Sequence, residues 1–387
     1  MRSLPIAILA VAALLVAGCT APATETPTAP TTAPTHAGTG SPQTTAPSAA
    51  NPFPDPSKTQ SVYGSGSSFV APLMGFWALQ YGQDHSKVQV TYSSTGSGQG
   101  RKDITNKDVL FAGTDAPMTA AEMAAAPGIL TFPEALGPIG VVYNLDDVTG
   151  LKLDGETLGK ILTGTIAKWD DDAIKALNPG VALPAATIKV VVRADSSGTT
   201  FAYTDFVART SPTWVSVFGG AALSSPEWSK SRADWTKDAK NSGVGGTVQG
   251  TKNSIGYVDL SYVTSLKLSA ALVKNQAGEF LGPTTAGATK AAASAGTLPA
   301  AEGDWSKVSI ANAPGTGSYP ISTYTYLLAY KQASSYGSKA TSEQVTAFKQ
   351  FAWWALHDGQ QYADPLGFAP LPAGAVAVGE AALKSMA

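Results

Sequence analysis

The sequence predicts an α/β protein built from two domains, and three observations lead there. The chain has 387 residues, too many for one ordinary domain. Hydrophobic residues make up 44% of it, enough for sizeable cores. Strand-like and helix-like patterns alternate from residue 59 onward. Residues 88–92 (VQVTY) alternate as a half-buried strand does, and 109–112 (VLFA) form a short apolar run. Residues 139–143 (IGVVY) and 188–192 (IKVVV) read as buried strands. Helical patterns lie between them, over 72–81, 99–106, 119–125, 170–177 and 199–209. Such alternation predicts parallel sheets with helices on both faces, and ligands at the carboxyl ends of the strands. Further on, 321–330 (ISTYTYLLAY) reads as a long strand and 343–356 as an amphipathic helix. Local pattern does not say which domain these two join. No internal repeat is present.

Composition narrows the function classes. Only 14% of residues are charged, against ~25% in typical domains. The formal net charge is −2, which argues against a nucleic-acid binder. A near-neutral chain that takes an anion must use local dipoles rather than a global field. Cys19 is the sole cysteine, so no intramolecular disulfide forms. Arg2 and the apolar run 6–16 have the layout of a signal peptide, the run being shorter than the ~20 residues that span a bilayer. Val16-Ala17-Gly18-Cys19 resembles a bacterial lipobox. That reading makes 1–18 a signal peptide and Cys19 a diacylated N-terminus, held at the membrane by its acyl chains. Residues 19–58 are rich in Thr, Ala and Pro and read as a disordered tether. At ~3.1 Å per residue it would reach on the order of 100 Å.

Four segments share one physical design: a small polar side chain beside backbone N–H groups near a predicted helix start. They are 64–72 (GSGSSFVAP), 94–100 (STGSGQG), 113–119 (GTDAPMT) and 193–200 (RADSSGTT). The first N–H groups of a helix lack internal partners and carry partial positive charge, so such a terminus holds an anion without a formal cation. Thr119 with Glu122 forms a capping-box pattern. Each segment alone is an ordinary cap or turn; the four together are more informative. His36, His85 and His357 all lie outside them. No P-loop, H-E-x-x-H, cysteine pair or G-x-S-x-G occurs, which disfavours nucleotide-cradle, metal-hydrolase and serine-hydrolase readings.

In this order the four segments resemble those of the phosphate-binding proteins of phosphate-specific ABC transporters. The resemblance runs from about residue 63 to the C-terminus. It includes 153–161 (LDGETLGKI), 168–171 (KWDD), 177–180 (LNPG), 191–199 (VVRADSSGT), 254–258 (SIGYV) and 319–322 (YPIS). It implies a two-domain periplasmic-binding-protein-like fold of type II, with two hinge crossovers and a ligand cleft between the domains. Domain I would comprise 59–142 plus 316–387, and domain II 143–315. Carried over by position, Ser68 gives a hydroxyl, Phe69 a backbone N–H, and Ser97 both. Asp115 is the acceptor, and Arg193 a bidentate donor held by Asp195. Ser197, Gly198 and Thr199 form the cradle at a helix start. Ser67-Ser68 stands where some relatives have Ala-Thr. Residues 210–242 fit less well, and no site residue is assigned there.

The implied protein is an extracytoplasmic lipoprotein and monomer, with no cofactor, metal or catalysis. It would bind inorganic phosphate and pass it to the permease subunits of an importer. A carboxylate at Asp115 accepts the proton that phosphate keeps at neutral pH and repels sulfate, which has none. At ~4 Å and an effective dielectric of ~20 that repulsion is about 4 kcal/mol. Alternative readings are a binder of sulfate or another tetrahedral oxyanion, a phosphate-responsive surface receptor and, least favoured, a phosphoester hydrolase using Asp115 or a serine.

Overall fold

The computed structural model describes residues 50–387 except Ala233. The expected signal peptide, Cys19 and residues 19–49 of the expected tether lie outside the described residues. The described chain opens with β1 (Gln60–Gly66), α1 (Ala71–Asp84), β2 (Val88–Ser94) and α2 (Ser97–Thr105). Then come β3 (Phe111–Thr114), α3 (Ala120–Ala125) and the long strand β4 (Ile129–Asn144). A second set of elements follows: β5 (Lys152–Leu153), α4 (Gly155–Leu162), α5 (Asp172–Leu177), β6 (Lys189–Arg193), α6 (Gly198–Thr210) and α7 (Pro212–Phe218). It continues through β7 (Thr236–Asp238), α8 (Lys240–Gly250), β8 (Ser254–Asp259), α9 (Leu260–Ser265) and β9 (Ser269–Ala270). It closes with β10 (Leu272–Lys274), β11 (Phe280–Leu281) and α10 (Thr285–Ala292). The chain then returns through β12 (Ser322–Tyr330), α11 (Ser342–Leu356) and α12 (Ala373–Ser385).

Among the described residues one sheet runs β2-β1-β3-β12-β4-β8-β6-β7, with β9 also paired to β4, and β11-β10-β5 forms a smaller sheet. The expectation of parallel sheets holds for β1 with β2 and β3, and for β6 with β7 and β8. The pairs β12–β3, β12–β4 and β4–β8 are antiparallel, so the sheet is mixed. The reason is that β4 runs on from one parallel group of strands into the other, and the chain comes back beside it at Ile321 to enter β12. Residues 129–138 of β4 pair with β12, and 139–144 pair with β8. The partner changes next to Pro138, which has no N–H for a ladder. At the same place Ile139 N donates to Ile321 O (2.8 Å), tying the outgoing strand to the returning chain.

The first ten residues of β4 escaped the sequence pattern because Pro133, Glu134 and Pro138 interrupt it. They are nonetheless buried throughout. Thr325 pairs with Ala135 and Tyr326 with Pro133, so Glu134 is the extra residue of a β-bulge. Other expectations matched closely. Thr119 and Glu122 form the reciprocal capping box of α3. The strand over 109–112 lies two residues later, at β3. The expected amphipathic helix, α11, is buried on more than one side: Phe348 stacks on Phe111 of β3 (5.2 Å), and α12 packs against α11 as well. Residues 51–57, read as the end of the tether, lie along α11. Phe53 packs edge-on to Trp353 (5.9 Å), Asp55 accepts from Gln350 Nε2 (2.9 Å) and Ser57 donates to Glu343 (2.8 Å). An apolar anchor and side-chain partners for the extended backbone hold them there. No helix among the described residues is long and apolar enough to cross a membrane.

Candidate functional site

Strands β1, β2 and β3 run parallel, so their carboxyl ends deliver three loops to one place. Ser67 N donates to Gly113 O (2.8 Å), and Thr95 N and Gly96 N both donate to Gly66 O (3.0 and 2.7 Å). These bonds lock the three loops together. They set Ser67 Oγ 2.6 Å from Asp115 Oδ1 and Ser97 Oγ 3.4 Å from Asp115 Oδ2. Ser67 Oγ also accepts from Phe69 N (3.0 Å), and Ser97 Oγ from Asp115 N (3.3 Å). Asp115 itself is not at a helix start. It lies in the bend before α3, whose N-cap is Thr119.

The fourth segment follows β6 and opens α6, as its residues predict. Ser197 is the N-cap, its Oγ accepting from Thr200 N (3.0 Å), which leaves the hydroxyl proton to donate elsewhere. The loop fits directly against the first three. Gly98 N donates to Ser196 O (3.0 Å). Gly96, at φ 93°, has the left-handed backbone open to glycine, and a Cβ there would collide with Asp195 Oδ2. A Cβ on Gly198 would lie 2.5 Å from both Asp115 Oδ2 and Ser97 Oγ. Only a bare glycine lets the α6 N-terminus approach the carboxylate this closely.

Arg193 ends β6 with its side chain buried. Nε donates to Asp195 Oδ1 (2.7 Å) and Nη2 to Asp195 Oδ2 (2.5 Å), so Asp195 holds Arg193 as expected, but it takes up the Nε/Nη2 fork itself. Nη1 donates to Asn241 Oδ1 (2.9 Å). Three of the five N–H groups are thus engaged, and the two that remain are on the terminal nitrogens. Asn241, at the start of α8, was missed by the sequence reading, which assigned nothing between 210 and 242. Its backbone N–H donates to Ser68 Oγ (3.2 Å), and its Nδ2 to Asp259 Oδ2 (2.5 Å). A lone asparagine after a short strand carries no signal that would single it out in one sequence.

The electrostatics follow from burial. Ser97, Asp115, Arg193, Ser197 and Thr199 expose 1, 1, 3, 0 and 1% of their surface. Burial pushes the Asp115 carboxyl up to about 6, against the pull of hydroxyls from Ser67, Thr325 and Ser97 and of the Arg193 charge. Burial raises Asp195 too, but the hydrogen bonds and charge of Arg193 and the Lys240 N–H outweigh it and hold Asp195 below its ordinary value. Asp259 is pushed up to about 7 by burial, opposed by Ser261 and Asn241 and reinforced by Asp115. Thr199 Oγ1 is buried with no partner among the described residues, an acceptor-and-donor group that a bound oxyanion would satisfy. The ligand-site residues singled out in the sequence thus gather in one cluster: hydroxyls, amides of a helix start, the buried carboxylate of Asp115, and the guanidinium of Arg193 clamped by the half-buried Asp195.

Two α/β lobes strung on long crossing strands, with polar groups from both converging in the interior, define a two-domain binding protein. The PBP superfamily domain matches residues 25–358. Two chains each described as phosphate-binding protein PstS are similar along most of their length. One, from Xylella fastidiosa (strain Temecula1), is 33% identical over 83% of this chain and 84% of its own; the other, from Pasteurella multocida, is 34% identical over 81% and 87%. The chain belongs to the PstS family of phosphate-binding proteins. The fold is shared with solved structures. One is a high affinity periplasmic phosphate-binding protein (PfluDING) bound with phosphate, at TM-score 0.65 and 19% identity over 83% of this chain and 93% of its own. Another is a phosphate-binding protein from Stenotrophomonas maltophilia, at TM-score 0.65 and 20% identity over 83% and 93%.

Proposed function

We propose that this chain binds inorganic phosphate between its two lobes and delivers it to the permease subunits of an ABC importer. The ligand contacts are Ser68, Phe69, Ser97, Asp115, Arg193, Ser197, Gly198 and Thr199, with Asp195 holding Arg193. The observation that carries this reading is the meeting of Asp115 with the α6 N-terminus, across the gap between lobes. A helix start and a guanidinium supply donors for an anion. A carboxylate in their midst makes sense only for an anion that brings a proton of its own. That is the chemistry of phosphate, and Asp115 rejects sulfate by like-charge repulsion.

The division into domain I (59–142 plus 316–387) and domain II (143–315) draws on β4, whose pairing passes from β12 to β8 between Pro138 and Ile139, shortly before the first boundary, and on its tie to Ile321, shortly after the return. The site residues are nearly inaccessible, so a ligand reaches them only if the lobes part on those crossing strands and then close. The protein works as a monomer without catalysis, held outside the cell membrane by a lipid on Cys19.

Calorimetric titration with phosphate, sulfate and arsenate tests the ligand. Phosphate is expected to bind tightly, arsenate to compete and sulfate to fail. Equal affinity for sulfate, or indifference to phosphate, sinks the reading. Phosphomonoester turnover by the purified protein would favour the hydrolase instead. Cys19→Ser is expected to release the protein from the membrane fraction.

A further inference from the structure

One buried acid beside the site has no part in the function above. Glu134 is fully buried on β4. It is the residue left unpaired by the bulge, a feature that re-aims a side chain out of the sheet pattern. Gln360 Nε2 takes up its carbonyl (3.0 Å). The side chain has one partner among the described residues: Thr325 Oγ1 lies 3.2 Å from Oε1, while Oε2 is buried with none. Thr325 stands opposite Asp115 where the β12–β3 register continues past the pair Tyr326–Thr114, and its hydroxyl lowers the Asp115 carboxyl. One hydroxyl proton therefore stands between two carboxyl groups and can serve only one of them. When Glu134 carries a proton on Oε1 it donates to Thr325 Oγ1, Thr325 donates to Asp115, and the unpartnered Oε2 no longer shares a buried charge.

We propose that Glu134 is a positioning residue for the oxyanion site: protonated, it aligns Thr325 and through it Asp115, and its ionisation in alkaline medium makes the protein release phosphate. This rests on the reading of Asp115 as the acceptor for the ligand's proton. Two ionisable groups face Glu134: Asp115, from the loop after β3, and the Tyr92 hydroxyl of β2, which donates to Ser67 O (3.1 Å). From β12 comes only the neutral Thr325, and Gln360 touches only the backbone. No cation is paired with it among the described residues. Burial first, then Asp115, push the Glu134 carboxyl up to about 8. A bound oxyanion adds negative charge nearby and raises it further. Between the two values, binding must be accompanied by proton uptake, and affinity falls by up to about tenfold per pH unit.

The test is calorimetric titration of inorganic phosphate into the native protein and Glu134→Gln from pH 7.5 to 9.5. The amide copies the shape of the protonated carboxyl and cannot ionise. Native affinity is expected to fall steeply above about pH 8. Glu134→Gln is expected to match the native protein within about threefold at pH 7.5 and to hold its affinity through pH 9.5. A purely structural role predicts the same alkaline fall in both proteins, and that result overturns the proposal. Should the variant not fold, proton uptake by the native protein is read at pH 8.5 from buffers of different ionisation enthalpy. Uptake of more than about half a proton per phosphate is expected, and none overturns the proposal. Absence of binding at pH 7.5 overturns the phosphate reading itself, whereas binding with a flat pH profile overturns only the role of Glu134.

Discussion

Asp115→Asn separates what the buried carboxylate costs from what it selects. In the folded protein this carboxyl is pushed up to about 6, from an ordinary 3.8. Below about pH 4 both folded and unfolded chains hold it protonated, and it contributes nothing to pH dependence. Between about 4 and 6 the folded chain binds more protons than the unfolded one, so stability falls as pH rises. Above about 6 the loss is complete. The shift of about two units, at 1.36 kcal/mol each, amounts to about 3 kcal/mol. Asparagine has no charge to desolvate, and its amide oxygen still accepts from Ser67. The ligand-free variant is therefore expected to be more stable than the native protein by up to about 3 kcal/mol at pH 7.5, and equal to it near pH 4. The same change removes the charge that repels sulfate, worth about 4 kcal/mol, or on the order of a thousandfold in relative affinity. Denaturant unfolding at several pH values, without ligand and with phosphate or sulfate, reads both effects. Native protein is expected to gain stability from phosphate and not from sulfate, and the variant from either anion. If Asp115→Asn leaves the pH dependence unchanged and sulfate still fails to protect it, Asp115 is neither strained by burial nor the selector.

Other substitutions probe the same cluster. Arg193→Lys keeps the charge but loses the fork shared with Asp195 and Asn241. Phosphate affinity is expected to drop by about 2 kcal/mol or more, roughly thirtyfold, by calorimetry. Gly198→Ala would place a methyl group 2.5 Å from Asp115 and Ser97. The lobes should then fail to close, so small-angle scattering is expected to show no compaction on adding phosphate. Asn241→Ala removes a partner from both Arg193 and Asp259 and leaves buried polar groups unsatisfied. A loss of about 1–3 kcal/mol in thermal or denaturant stability is expected, with weaker phosphate binding although Asn241 is not assigned a ligand contact.

Local physics made much of this protein legible in the chain alone. Caps, glycines and apolar periodicity act over a few residues, so the strand–helix junctions at 64–72, 94–100 and 193–200 could be placed, as could the Thr119–Glu122 capping box. The clamp of Asp195 on Arg193 spans only two positions and follows from a motif of that length. What the chain could not declare depends on partners far away in sequence. The first ten residues of β4 contain two prolines and a glutamate, and form a strand only because β12, nearly 200 residues later, pairs with them around a bulge. Asn241 becomes part of the site because β7 lies parallel to β6 and brings the α8 N-terminus to Ser68 and Arg193. Glu134, Thr325 and Asp115 come together through three different strands and loops. Local preference set where each helix begins and which groups it offers; which of those groups share one dry interior, and hence which carboxyls burial pushes up, was decided by strand pairing over long range.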